Sequence, residues 1–379
     1  MAAAGPRVLD EPVEVAAPST RLADAVGAAE TLIEQQRHEE ALAALHAVEQ
    51  RATPDARLEL RALLAEAWAL VSLGRLETAE GLLARARALA QRPELDDVAR
   101  ADVLFRLGSC RLAQGAFASA TALLTLALDL CDRAPVTSDR LRARVLERRA
   151  RAYRMSRDWD AARADVERAI ELAEALGDVH TAAHAYFQAS IVAEREKQWL
   201  LARFNAEHAL ALYEQVGDAV SAGKVQNNLG GILFLLGKPE EARELLARAH
   251  RAALDAGNEV DAGYAVGSLA QVEVRTGMPL EGEQHARRAL ILLDGRSDHV
   301  LELAATRLVL ARALLDQGRA DEAEREVDQA ENAFRRVASV SHMAEALLAR
   351  GDCARHRGDA ERAAELYRAA AELLRDTHF

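Results

Sequence analysis

The sequence repeats itself about every 40 residues, most plainly in the stretch that runs from Asn228-Leu229-Gly230 through Gly237-Lys238-Pro239 and Ala242 to Ala249. Aligned on Gly237, the equivalent turn positions are Gln36, Gly74, Gly115, Arg157, Lys197, Gly277, Gly318 and Gly358. A chain made of such copies packs each one on its neighbours and grows as a stack, not around one central core. The repeat therefore restricts the fold more than the length of 379 residues does.

Within each copy the small residues hold fixed places. Seven before the turn stand Ala29, Ala67, Gly108, Ala150, Ser190, Gly230, Ala270, Ala311 and Gly351. Five after it stands Ala, or Gly282 in the seventh copy, and twelve after it stands Ala, or Val48 in the first. Between them apolar residues recur at three- and four-residue intervals, as in Leu229, Ile232, Leu233 and Leu236, which is the helical period. Each copy reads as two helices that approach closely at the small residues. At the junctions Gly177-Asp178, Gly217-Asp218 and Gly257-Asn258 pair a residue suited to end a helix with one suited to N-cap the next, and Gly295 with Asp298 repeats the pattern loosely. The expectation is an all-α chain of about eighteen helices and no strand.

These positions resemble the tetratricopeptide repeat family in its longer-helix form of 40 to 42 residues, with Phe117, Trp159 and Trp199 where that family often carries an aromatic residue two past the turn. The resemblance covers residues 21–379 and implies a right-handed superhelical solenoid of about nine helical hairpins, preceded by a flexible tail over residues 1–20. The first copy, with Gln36 and Val48, departs from the pattern as a terminal capping repeat does. Further departures stand at Arg157, Lys197 and Gly282.

Composition narrows the function. Half the residues are apolar but only 4% are aromatic, so the core is built of Leu, Ala and Val. A net charge of −12 argues against nucleic acid or an anionic membrane as the main partner. Cys110, Cys131 and Cys353 are too few and too scattered for a disulfide frame or a cysteine metal site. No apolar run has the length of a signal peptide or a membrane span, and the expected location is the cytoplasm. Basic residues are arginine except for Lys197, Lys224 and Lys238, which with the abundant Ala and Leu suggests a bacterial source. With so little sequence outside the repeats at either end, no DNA-binding output domain is expected within these residues.

Catalytic patterns are missing. His180 and His184 are four apart but have no third metal ligand at a useful spacing, and Gly230-Gly231 lacks the further glycines and the strand of a phosphate loop. No motif asks for a metal or a cofactor, and the expectation is a non-catalytic protein. A minor alternative has the arginine patch and His184 acting on a phosphorylated substrate.

Binding residues follow from the resemblance. In this family the first helix of each hairpin lines a concave groove, at positions 13, 10, 6 and 3 before the turn. In the fourth repeat these are Arg144, Glu147, Arg151 and Arg154; in the fifth His184, Phe187, Ile191 and Glu194; in the sixth Lys224, Asn227, Gly231 and Phe234; in the seventh Tyr264, Gly267, Gln271 and Val274. The second repeat gives Arg61, Leu64, Trp68 and Val71, and the ninth Glu345, Leu348, Asp352 and Arg355. Eight arginines between Arg140 and Arg157 make either a clamp for carboxylate or phosphate, which implies a partner with acidic residues, or a solvated face paired with acids such as Asp158, Asp160 and Asp165. Asn227 and Asn228 are poor interior helix formers; one is expected to tie helices together and the other to bind a peptide backbone, as in kinesin light chains and bacterial pheromone receptors. Phe187 and Tyr264 are expected to be exposed anchors.

The site is therefore expected over the fourth to seventh repeats, carried by Arg144, Arg151, Arg154, His184, Phe187, Lys224, Asn227, Asn228, Tyr264 and Gln271. The role expected is a protein- or peptide-binding scaffold or adaptor. The alternative is a peptide- or small-ligand-sensing receptor whose signalling or transcription output is supplied in trans. Apolar residues of the last helix, Leu366, Tyr367, Leu373 and Leu374, with Phe379, either fold back on the ninth repeat or form a contact between copies.

Overall fold

The computed structural model describes residues 18–48, 53, 55–133, 138–295, 299–337 and 339–376. These form eighteen α-helices and no strand. They pair as α1 (Pro18–Glu34) with α2 (His38–His46), α3 (Ala56–Ser72) with α4 (Leu76–Leu89), α5 (Asp97–Ala113) with α6 (Phe117–Arg133), and α7 (Asp139–Met155) with α8 (Trp159–Ala175). Next come α9 (Val179–Arg195) with α10 (Trp199–Val216), α11 (Ala219–Leu235) with α12 (Pro239–Asp255), and α13 (Glu259–Arg275) with α14 (Pro279–Leu293). The last pairs are α15 (Val300–Asp316) with α16 (Ala320–Arg336) and α17 (Val340–His356) with α18 (Ala360–Asp376). The hairpins group into two compact units, one ending at Leu176 and the other beginning at Gly177.

Every turn position read from the repeat has left-handed backbone. Six are glycines, with φ from 74° at Gly74 to 83° at Gly277 and Gly358. Gln36, Arg157 and Lys197 adopt the same conformation with φ of 61°, 63° and 59°, although a Cβ makes it unfavourable by about 1–2 kcal/mol. The tight turn is kept because it closes the first helix; Gly237, for instance, donates its N–H to the Phe234 carbonyl and Lys238 to that of Leu233. At the junctions Asp178, Asp218 and Asn258 accept from the backbone N–H of Thr181, Ser221 and Asp261 at 3.2, 3.0 and 3.1 Å, and so act as N-caps. Asp298 and Phe379, like most of the expected tail, lie outside the described residues.

The small residues seven before the turn are buried against the second helix of their own hairpin. A Cβ added to Gly108 would lie 2.7 Å from Leu124, at Gly230 2.6 Å from Leu246, and at Gly351 2.4 Å from the Tyr367 ring. Those three partners stand nine residues after their turns. In these three hairpins glycine leaves room for the side chain that crosses at that height, and burying such a leucine contributes about 1.5–3 kcal/mol. Gly282 has a different reason: a Cβ there would lie 2.4 Å from Cγ2 of Val274 on the facing helix. The neighbour Gly231 has open space over its Cα.

Each unit has its own core. In the first, Ala67, Leu83 and Ala86 pack with Leu95 and Val103, and Phe105 and Leu124 pack with Val145. In the second, Val266 packs with Ala289, Leu314 with Val327, and Ala330 with Phe334. The three cysteines are buried and unpaired. Burial pushes the Cys131 and Cys353 thiols up to about 11. No described helix is long and apolar enough to cross a membrane.

Candidate peptide-binding groove

In the second unit the first helices of successive hairpins stand side by side in register. Arg312 and Asp352, each six before its turn, meet at 3.1 Å. Between these helices opens a cavity of about 870 Å³, lined from α11 by Phe234, from α13 by Tyr264, Gly267, Gln271, Val274 and Arg275, from α15 by Glu302, Leu308 and Arg312, and from α17 by Glu345, Leu348 and Asp352. All four groove positions of the seventh repeat and three of the ninth face it. So do Ala305, Leu308 and Arg312, which the same count places on the eighth. Small residues at the wall, Gly263, Gly267, Ala305 and Ala349, leave the space open.

Tyr264 is half-buried, and its hydroxyl lies 2.7 Å from Nδ1 of His299, just ahead of α15. Burial, with Glu302 and Asp261 close by, pushes the phenol up to about 12, so it stays a neutral hydrogen-bonding group. Gln271 is exposed on the same wall. Arg312 is held between Asp316 and Asp352, and Asp352 also accepts from the Tyr367 hydroxyl at 2.7 Å. This last bond, with Leu366 buried and Leu373 and Leu374 half-buried, folds α18 back on the ninth hairpin.

The other expected residues of this unit do not line that cavity. His184 is half-buried with Nδ1 2.6 Å from the fully buried Tyr213 hydroxyl, the two rings edge to face, so it ties α9 to α10. Phe187 is half-buried rather than exposed. Lys224 is exposed, with Nζ 3.9 Å from Asp261. Of the two asparagines, Asn228 ties helices together. Asn228 donates to Glu194 at 2.8 Å and accepts from Ser190 at 3.2 Å, joining α11 to α9. Asn227 has a buried amide oxygen without a hydrogen-bond partner. Burial pushes the Glu194 carboxyl above its usual range against the pull of Asn228.

In the first unit the arginine run separates into different uses. Arg149 forks onto the buried Asp165 at 2.7 and 2.8 Å and reaches Thr125 at 3.1 Å. Arg142 bonds Asp132, Asp139 and the Cys131 carbonyl. Arg144 stacks over Phe105 at 5.0 Å and Trp68 at 5.9 Å, while Arg148 and Arg106 lie 5.6 and 5.2 Å from the same indole. Trp68 and Phe105 are themselves stacked at 5.6 Å. Arg151 is exposed and Arg154 half-buried, its proton affinity lowered by burial and raised by Glu147. Asp158 N-caps α8 and Asp160 pairs with Arg163, so of the acids named from sequence only Asp165 answers the patch. Among the described residues no group of three or more His, Cys, Asp or Glu could hold a metal.

Tetratricopeptide repeat models match residues 64–135 and 308–376, and a second such model matches residues 224–253. Those stretches are tetratricopeptide repeats. A Rap protein solved with competence and sporulation factor superposes with a TM-score of 0.68 at 16% identity, over 95% of this chain and 99% of that one. The apo form of RapI gives 0.69 at 13% identity over 94% and 98% of the two chains. The apo quorum sensor NprR from B. thuringiensis gives 0.68 at 13% identity, again over 94% and 98%. Likeness at these identities establishes the tetratricopeptide-repeat fold of the whole chain. No curated protein matches the sequence.

The eighth-repeat wall, Glu302, Leu308 and Arg312, together with Arg275, was not singled out from sequence. Extending the groove count to the repeat whose turn is Gly318 finds Leu308 and Arg312; Glu302 and Arg275 lie off that count and carry no sequence signal of their own.

Proposed function

We propose that this protein is a non-catalytic, cytoplasmic scaffold or adaptor that holds a segment of a partner protein or peptide along the first helices of its sixth to ninth hairpins. The observation that carries this reading is the cavity of about 870 Å³, whose wall is made of positions that a repeat stack leaves free of its own packing. Its lining mixes leucine, a hydrogen-bonding phenol, an amide and charges of both signs, which suits a peptide better than a single small metabolite. In the first unit, Arg144, Arg151 and Arg154 remain our candidates for a separate contact with acidic residues of the partner.

The test is capture of partners from a bacterial lysate by the wild type beside Leu308→Asp with Gln271→Ala, and beside Arg151→Glu with Arg154→Glu. A partner lost from the first variant alone places binding in the seventh-to-ninth groove. One lost only from the second moves it to the fourth hairpin, and capture unchanged by both refutes the groove.

A second reading, a sensor whose output is supplied in trans, draws support from the Tyr264–His299 bond. An occupant that engages Tyr264 pulls on the segment that starts α15. The solved chains of the same fold include a quorum sensor, a role of that kind. Hydrogen exchange at residues 299–304 that does not change on peptide binding would remove this second reading.

A further inference from the structure

The charges of the groove are sorted across its width. Along one edge, in the first two turns of the helices, stand Tyr264, Glu302 and Glu345. Neither glutamate side chain forms an ion pair among the described residues. Along the other edge, at the end of α13, stands Arg275, which is exposed, lies 5.9 Å from the Phe234 ring and has no carboxylate partner among the described residues. Arg312 and Asp352 on that side neutralise one another. Between the edges Leu308, Val309 and Leu348 give an apolar strip beside the Gln271 amide.

An unpaired charge at the edge of a cavity retains its water until an opposite charge arrives, so two such edges of opposite sign select for a ligand that matches both. Tyr264 and Arg275 are eleven residues apart on one helix, which is about 16 Å at 1.5 Å per residue. That rise along the helix equals about five residues of extended chain, the least that separates the two edges. We propose that the occupant is an extended peptide segment with a basic side chain at the Glu302 and Glu345 edge, a carboxylate five or more residues away at Arg275, and an apolar side chain over Leu308 and Leu348 between them. This inference rests on the groove-binding reading above and names the chemistry of what binds.

The experiment is selection from a random ten-residue peptide display library on the full chain, followed by anisotropy titration of the selected peptides. Wild type is compared with Glu302→Lys/Glu345→Lys and with Arg275→Glu, each checked by thermal unfolding. The expected peptides carry Lys or Arg and Asp or Glu five or more residues apart. Each variant is expected to weaken them by about tenfold or more, as for close charge pairs at interfaces. A peptide with the matching charge reversed is expected to recover binding to the variant. Peptides that bind all three proteins equally, or that lack the charge pair, overturn the inference and leave the groove reading in place. If the library yields no binder at all, the groove reading itself falls and takes this inference with it.

Discussion

In the fourth hairpin Arg149 closes on Asp165, sixteen residues away on the second helix, whereas in the seventh Arg275 ends its helix with only a phenylalanine ring beside it. The fourth hairpin is much the richer in arginine, yet several of its arginines serve their own unit: Arg142 bonds the Cys131 carbonyl near the end of α6, and Arg144 and Arg148 cover Trp68. On the groove wall of the seventh to ninth hairpins, by contrast, Glu302, Glu345 and Arg275 have no ion pair among the described residues. Density of charge in a sequence therefore marks a binding surface poorly. What counts is whether an acid or a ring of the same unit stands within reach, and that depends on which residues the hairpin brings opposite one another.

Several substitutions sharpen this contrast. The largest effect is expected from Arg149→Ala, which strands the buried Asp165 carboxylate and should destabilise the first unit by about 3 kcal/mol or more in urea unfolding. Arg275→Ala should stay within about 0.5 kcal/mol of wild type. Equal effects of the two would erase the distinction between them. Next, Gly230→Val drives a branched side chain into Leu246 and should cost about 1–3 kcal/mol. Gly231→Ala, one residue on but open to the groove, should gain up to about 1 kcal/mol from helix propensity.

Smaller again, Arg157→Gly and Lys197→Gly should each raise stability by about 0.5–1 kcal/mol, by removing a Cβ from left-handed backbone; a loss of stability would show that these side chains hold the turn in another way. The smallest effect concerns pH. The hydrogen bond that His285 donates to the buried Glu273 carboxylate raises its proton affinity against its own desolvation. A histidine raised in the folded state stabilises fully below its ordinary value of about 6.5 and stops doing so as pH rises through the raised value. Thermal stability of the second unit should fall slightly over that window, and His285→Gln should flatten the fall.

Most of the fold was legible because the repeat spells it out nine times. The turn positions, including the unlikely Gln36, Arg157 and Lys197, and the caps at Asp178, Asp218 and Asn258 all stand where the pattern sets them. The groove register was legible too, since Tyr264, Gln271 and Leu348 line the cavity. What could not be read was pairing at a distance. His184 is taken by Tyr213, 29 residues on, and Tyr264 by His299, 35 residues on. No local rule joins those positions, because the partner is chosen by the crossing of two helices and not by spacing along one.

The match between the residue seven before a turn and the one nine after it also bears on how such a chain can be rebuilt. Gly108 answers Leu124, and Gly351 answers Tyr367, each within one hairpin. In these hairpins the notch and its filler fit one another, so the hairpin, not the helix, is the smallest cassette that carries both intact. A protein engineer who grafts only the groove-bearing helix of another repeat brings a notch without its filler; moving both helices carries the groove chemistry and the fit in one piece.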